Sequence, residues 1–329
     1  MNESINVIYK TQEGKVPFWD SPFVIGTKNI PERIKYRPKL THEAVESLFQ
    51  RTKYKEIDAI IMKVVADSIC CTEEQLRRYM YQHSSRSYVS KTVNRFRNDG
   101  ILDRWKLEDT EYEHEEIISG PLTLGIGGYK YLKHYYYRDF MMNPNNWDAL
   151  GIPFIQKMVS LNELRVQLYE RSVMREWCWA ELYYKYSLIH YKYKHLKKYK
   201  ALSLFAPTAI THIDTPKGRM EWLIIRGMMR FNFMEHVRDR LFAYKQYFEE
   251  HGSLPFISEN TIPYVVVSVS TRTMAEDLHK KLLLDTFPFP LWCCVDEYVW
   301  KDGIEKAIMI PDGQVLRRAH LPFLDKGEK

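Results

Sequence analysis

Between Ser84 and Asn98 the chain carries no acid, while Arg86, Ser87, Tyr88, Lys91, Asn94, Arg95 and Asn98 recur at spacings that share one side of a helix. Such residue types suit duplex DNA. Lys and Arg can contact phosphate or guanine, Asn can pair with adenine, and Ser and Tyr can bond phosphate. Arg77 and Arg78 before this run, and Arg104 and Lys106 after it, could add contacts to the DNA backbone. The plainer reading is a set of solvated charges on a helical protein. A second group lies in Tyr183–Lys200, which holds six Lys, six Tyr and no acid, Lys192, Lys194, Lys197 and Lys198 among them. Lysines neutralise phosphate and tyrosine rings stack on unpaired bases, so a single-stranded DNA contact is one reading. An amphipathic element with packed tyrosines and wet lysines is the other.

The elements that would position the first group follow from periodicity. Ile57, Ile60, Ile61, Val64 and Val65 predict a helix with one buried stripe. Thr72 and Gln75 form a capping-box pattern that opens a second helix, with Leu76 and Met80 inward. A third runs from about Ser87 to Asn98 with Val89, Val93 and Phe96 inward, and Asp99-Gly100 stops it. Ile101–Leu107 alternates like a strand, a charged loop follows, and Gly128–Tyr135 reads as helical. Three short helices and a two-stranded ribbon are the parts of a winged helix-turn-helix, whose third helix enters the major groove. Winged helices also serve as protein-docking modules. The acidic loop Glu108–Glu116 argues against a long wing tip on phosphate and for a wing used at Arg104 and Lys106.

Beyond it, Phe205–Ile213 and Met220–Ile225 read as a strand hairpin around Asp214–Gly218, and 231–251 as a long helix. Pro263–Val269 is a buried strand, Thr271 or Thr273 caps a helix over 274–284, and Leu291–Trp300 is a last strand. Strands joined by helices imply a mixed sheet with helices on its faces, a layout shared by the restriction-endonuclease-like core and other α/β folds. The expected fold class is therefore α+β: an N-terminal winged helix-turn-helix, then an α/β restriction-endonuclease-like domain. The expected division is an extension over 1–54, the winged helix over 55–140, a turn-rich linker over 141–153 and the second domain over 154–329.

The 329 residues, 45% of them hydrophobic, can fill two cores. The net charge of +6 permits a polyanionic partner. No run of about 18 apolar residues exists, and no basic start leads into an apolar segment, so membrane spans and secretion are not expected and the cytoplasm is. Five cysteines, without zinc spacing, read as buried free thiols. No cofactor is expected.

Several short motifs then combine. Leu122-Thr-Leu-Gly-Ile-Gly-Gly-Tyr-Lys-Tyr-Leu132, Asn162-Glu-Leu-Arg-Val166 and Trp177-x-Trp-Ala-Glu181 come in that order. Ala206-Pro-Thr-Ala209, Ile225-Arg-Gly227, Leu241–Tyr247 and Tyr264–Val267 follow them. Over roughly residues 55–284 the chain resembles the replication-relaxation family of plasmids and integrative elements. The resemblance implies a DNA-binding protein of a mobile element, and a nuclease-like domain whose acids lie at a Pro-Asp pair and a Glu-x-Asp-Arg-Gly-like run. Here those places hold Thr208, Leu223 and Ile225, while Arg226 and Gly227 match. Metal-assisted hydrolysis needs carboxylate oxygens around Mg²⁺, which Leu and Ile cannot supply. The second domain is therefore read as catalytically silent and without metal. Glu163, Glu181, Glu221 and Asp214 keep a metal-dependent nicking endonuclease open as an alternative. A winged-helix protein-interaction module, docking a replication or conjugation protein, is the other. Winged-helix regulators commonly dimerise, so a homodimer is a further expectation.

Overall fold

The computed structural model describes residues 9–15, 31–32, 41–51, 54–105, 120–136, 140–150, 152–186, 205–227, 233–258 and 260–325. Lys106, Lys192, Lys194, Lys197 and Lys198 lie outside these residues, as does the acidic loop. The chain divides into two compact units, one of residues 21–166 and one of residues 1–20 with 167–329. Residues 141–153, expected as a linker, belong to the first.

In the first unit a two-residue strand β1 (Pro31–Glu32) precedes α1 (His42–Gln50), whose N-cap Thr41 accepts from the Ala44 amide. Helix α2 (Glu56–Ser68) buries Ile61, Met62 and Val65. Helix α3 (Glu73–Tyr79) opens on the expected capping box, Thr72 Oγ1 accepting from Gln75 N and Gln75 Oε1 from Thr72 N. Helix α4 (Arg86–Asn98) buries Val89, Thr92, Val93 and Phe96. Gly100 ends it at φ +69°, where a Cβ would be strained. Strands β2 (Leu102–Trp105) and β3 (Leu122–Leu124) pair antiparallel, with β1 on the far side of β2. Cys71, between α2 and α3, bridges to Leu122. Helix α5 (Ile126–Tyr135) approaches so closely that a Cβ on Gly128 would lie 2.4 Å from the Ile101 carbonyl oxygen. A short helix α6 (Trp147–Leu150) leads to α7 (Ile152–Glu170), and the division between the units falls within α7.

The second unit is built on a seven-stranded mixed sheet, so the fold is α+β. Strand β4 (Met174–Cys178) leads into α8 (Ala180–Tyr186), followed by the hairpin β5 (Ala209–Thr215) and β6 (Gly218–Arg226). Helix α9 (Phe233–His251) connects to β7 (Ile262–Val269), and α10 (Arg272–Leu282), capped by Thr271, connects to β8 (Leu291–Val295). The strand expected to reach Trp300 stops at Val295, and α11 (Asp296–Lys301) takes over. Strands β9 (Ile308–Asp312) and β10 (Val315–Arg318) close the order β10-β9-β8-β7-β6-β5-β4. β6, β7 and β8 are mutually parallel and the flanking pairs are antiparallel. Residues 220–226 of β6 are all buried, as a strand covered on both faces must be. Among the described residues no helix is long and apolar enough to cross a membrane.

Candidate nucleic-acid interface

Helix α4 presents a polar stripe because its apolar residues all turn to one side. Ser87, Lys91, Asn94 and Asn98, at steps of four, three and four, are exposed together. None of the four has a side-chain hydrogen bond or ion pair within the described residues.

The expected arginines stand differently, for each is committed to a carboxylate. Glu73 and Glu74, in the first turn of α3, gather three of them. Arg77 donates to Glu73 and lies 3.4 Å from Glu74, Arg104 donates to Glu73, and Arg86 at the start of α4 donates to Glu74. Arg77 also donates to Ser90 on α4. Burial alone would raise the Glu73 carboxyl. The Ser90 hydroxyl and the Arg104 and Arg77 guanidinium groups outweigh that, and it is held below the usual carboxylate range. Arg86 keeps 61% of its side-chain surface exposed, against 28% for Arg77 and 19% for Arg104, so Arg86 is the most available of the three.

Arg95 turns inward. It donates to Asp58 Oδ1 at 3.1 Å and to Thr92 Oγ1 at 2.7 Å, and Thr92 donates to the same Asp58 oxygen. Asp58 is wholly buried, and its other oxygen accepts the Lys55 amide that starts α2. Tyr88 is half-buried with the Arg95 guanidinium 5.8 Å from its ring centre, and burial raises its phenol above the ordinary value. Arg78 donates to Glu163 on α7, which is 1% exposed.

Glu163 belongs to the Asn162-Glu-Leu-Arg-Val166 motif, whose polar side chains all brace the base of α2 and α3. Asn162 donates to the carbonyls of Ser68 and Cys70, on either side of Ile69, which sits at φ +63°. A β-branched residue there is strained, and the two bonds hold it. Gln75 donates to Glu163 and to the Val159 carbonyl. Arg165 donates to Ser68 Oγ and lies over the Tyr79 ring.

In the second unit the residues at the expected acidic places are structural. Thr208 Oγ1 accepts from Arg226 N at 3.0 Å, and Leu223 and Ile225 are fully buried core. The other acids are engaged as well. Glu221, 1% exposed, accepts from Ser258 N, Ser258 Oγ and Thr261 Oγ1, and lies 3.0 Å from His212 Nε2 across the hairpin. Glu181 pairs with Lys185, and Asp214 stands on β5 rather than in the turn, 3.8 Å from Arg219. Among the described residues no three His, Cys, Asp or Glu side chains are grouped to hold a metal ion.

A polar cluster that periodicity did not reveal lies at the carboxyl ends of the parallel strands, where open α/β sheets commonly bind ligands. Buried Arg226 donates to Asp296 at 2.5 Å, to Ser268 at 2.9 Å and to Ser270 at 3.1 Å. Glu297 accepts from the amides of Arg272 and Gln12, and burial pushes its carboxyl above the ordinary value. These groups satisfy one another, which is the behaviour of a brace.

The chain matches no family model, no curated protein and no solved structure.

Proposed function

We propose that the chain is a sequence-specific duplex-DNA-binding protein, with its first unit a winged helix-turn-helix and α4 its reading helix. The observation that carries this reading is the stripe Ser87, Lys91, Asn94 and Asn98, exposed together and without intramolecular partners among the described residues. A polar face of that composition has no role in packing, and its donors and acceptors match base edges and phosphates. The element order supports it: helix, bridging residue, two helices, then paired strands. The resemblance to the replication-relaxation family supplies the proposed setting, a mobile element's replication, transfer or transcriptional control in the cytoplasm. On the same reading the second unit is a nuclease-like domain without its acids, serving dimerisation, a second DNA contact or partner docking.

The test is binding of the full chain to labelled duplex DNA at low salt. Lys91→Glu should abolish binding while leaving the thermal midpoint within about 2 °C, since an exposed site contributes little to stability. Wild-type binding unchanged by Lys91→Glu would refute the reading. The pairing of every expected arginine among the described residues with a carboxylate favours a second reading, a protein-docking module. Failure of any duplex to bind at low salt would favour it.

A further inference from the structure

We infer that Lys91 is the specificity-determining residue of the interface and reads a guanine in the major groove. This rests on the DNA-binding reading above and goes beyond it by assigning which cation reads sequence and which cations only hold the backbone.

The division follows from how each cation is held. Arg77, Arg86 and Arg104 are fastened to Glu73 and Glu74, and Arg95 to Asp58. A guanidinium fixed against a carboxylate keeps outward N–H groups but loses reach. It suits a phosphate lying along the protein surface, a contact that positions the duplex and carries no sequence information. Lys91 is the opposite case. It is exposed in the second turn of α4, one turn beyond Ser87 on the same stripe, and has no ion pair among the described residues. Helices of this kind meet base edges with their N-terminal residues, so Ser87 and Lys91 come before Asn94 and Asn98.

Chemistry then selects the base. An ammonium group carries donors only. Guanine offers two acceptors in the major groove, O6 and N7, whereas adenine sets an amino group beside its N7. Lys91 therefore favours guanine. Glu74 supports this geometry by tying Arg86, the first residue of α4, to α3.

The experiment uses the full chain. A random duplex pool is selected at low salt with wild type, Lys91→Ala, Lys91→Arg and Arg86→Ala. The best wild-type site is then remade with 7-deazaguanine, which lacks N7, at each guanine in turn. Lys91→Ala should level the preference at one guanine position and weaken the best site by about tenfold. Lys91→Arg should keep that guanine, and Arg86→Ala should weaken all sequences alike. The 7-deazaguanine change at that position should weaken wild type several-fold and leave Lys91→Ala unaffected. If Lys91→Ala lowers affinity equally for all sequences with the guanine preference intact, Lys91 is a phosphate contact and this inference falls while the DNA-binding reading stands. If wild type retains no duplex, the reading itself falls.

Discussion

At the scale of single residues, the strongest structural demands come from polar groups that must be satisfied where water is excluded. Asn162 is wholly buried and answers two carbonyls around the strained Ile69. Asn162→Ala leaves the Cys70 carbonyl without its donor and the Ser68 carbonyl with the Cys70 amide alone, so it should destabilise the chain by about 2 kcal/mol, measured by urea denaturation. Lys91→Ala, in contrast, should change stability by less than about 0.5 kcal/mol. The cysteines make a second case. Burial raises the thiols of Cys70, Cys71, Cys293 and Cys294, with Cys71 and Cys293 pushed to about 12. A thiol with that value is ionised to only about one part in 10⁴ at pH 8, and the thiolate is the reactive form. A thiol-specific disulfide reagent should therefore label the half-buried Cys178 first and the other four only on unfolding. Rapid labelling of two or more thiols in the native protein would contradict that burial. Glu297 carries a pH signature. Its folded value is raised, so its contribution to stability is present below the ordinary glutamate range and lost as pH rises through the folded value. Glu297→Gln should accordingly compare more favourably with wild type at pH 7 than at pH 4 in paired thermal melts.

At the scale of elements, what could be read in the sequence was whatever local chemistry dictates. Thr41, Thr72 with Gln75, and Thr271 are caps whose side chains bond the amides their positions imply. The apolar spacing of Val89, Val93 and Phe96 located the inward face of α4, and so its outward one. Tertiary partners were not legible. The apolar run from Leu291 to Trp300 looks like one strand, but Asp296 turns to meet Arg226 and the Glu297 amide bonds the Ser270 carbonyl, which starts a helix. The hairpin of β9 and β10 did leave a signal, Asp312-Gly313 between apolar residues, with Gly313 at φ +61°. Glu73 and Glu74 meet Arg77 at ordinary helical spacing, but the pairs Glu73–Arg104, Glu74–Arg86, Asp58–Arg95 and Glu163–Arg78 form only through the folded structure. Close approach was equally invisible. Gly128→Ala should cost about 1–3 kcal/mol, because its methyl group would meet the Ile101 carbonyl and force α5 away from β2. A Gly128→Ala chain with wild-type stability would show that α5 does not sit against Ile101.

At the scale of the whole molecule, the net charge of +6 is modest, and much of the basic surface around α4 is already paired with acids. Affinity for DNA should then come from a few placed contacts rather than from a broad positive field. With Arg77, Arg86, Arg95 and Arg104 as the phosphate contacts, affinity should fall with salt at a log–log slope of about −3 to −4, roughly a hundredfold between about 50 and 200 mM. The most direct measurement is fluorescence anisotropy of the full chain with labelled duplex DNA across that salt range, for wild type and Lys91→Glu. The account predicts duplex binding with that slope and its loss in Lys91→Glu. Absence of binding at the lowest salt, or identical curves for the two proteins, would contradict it.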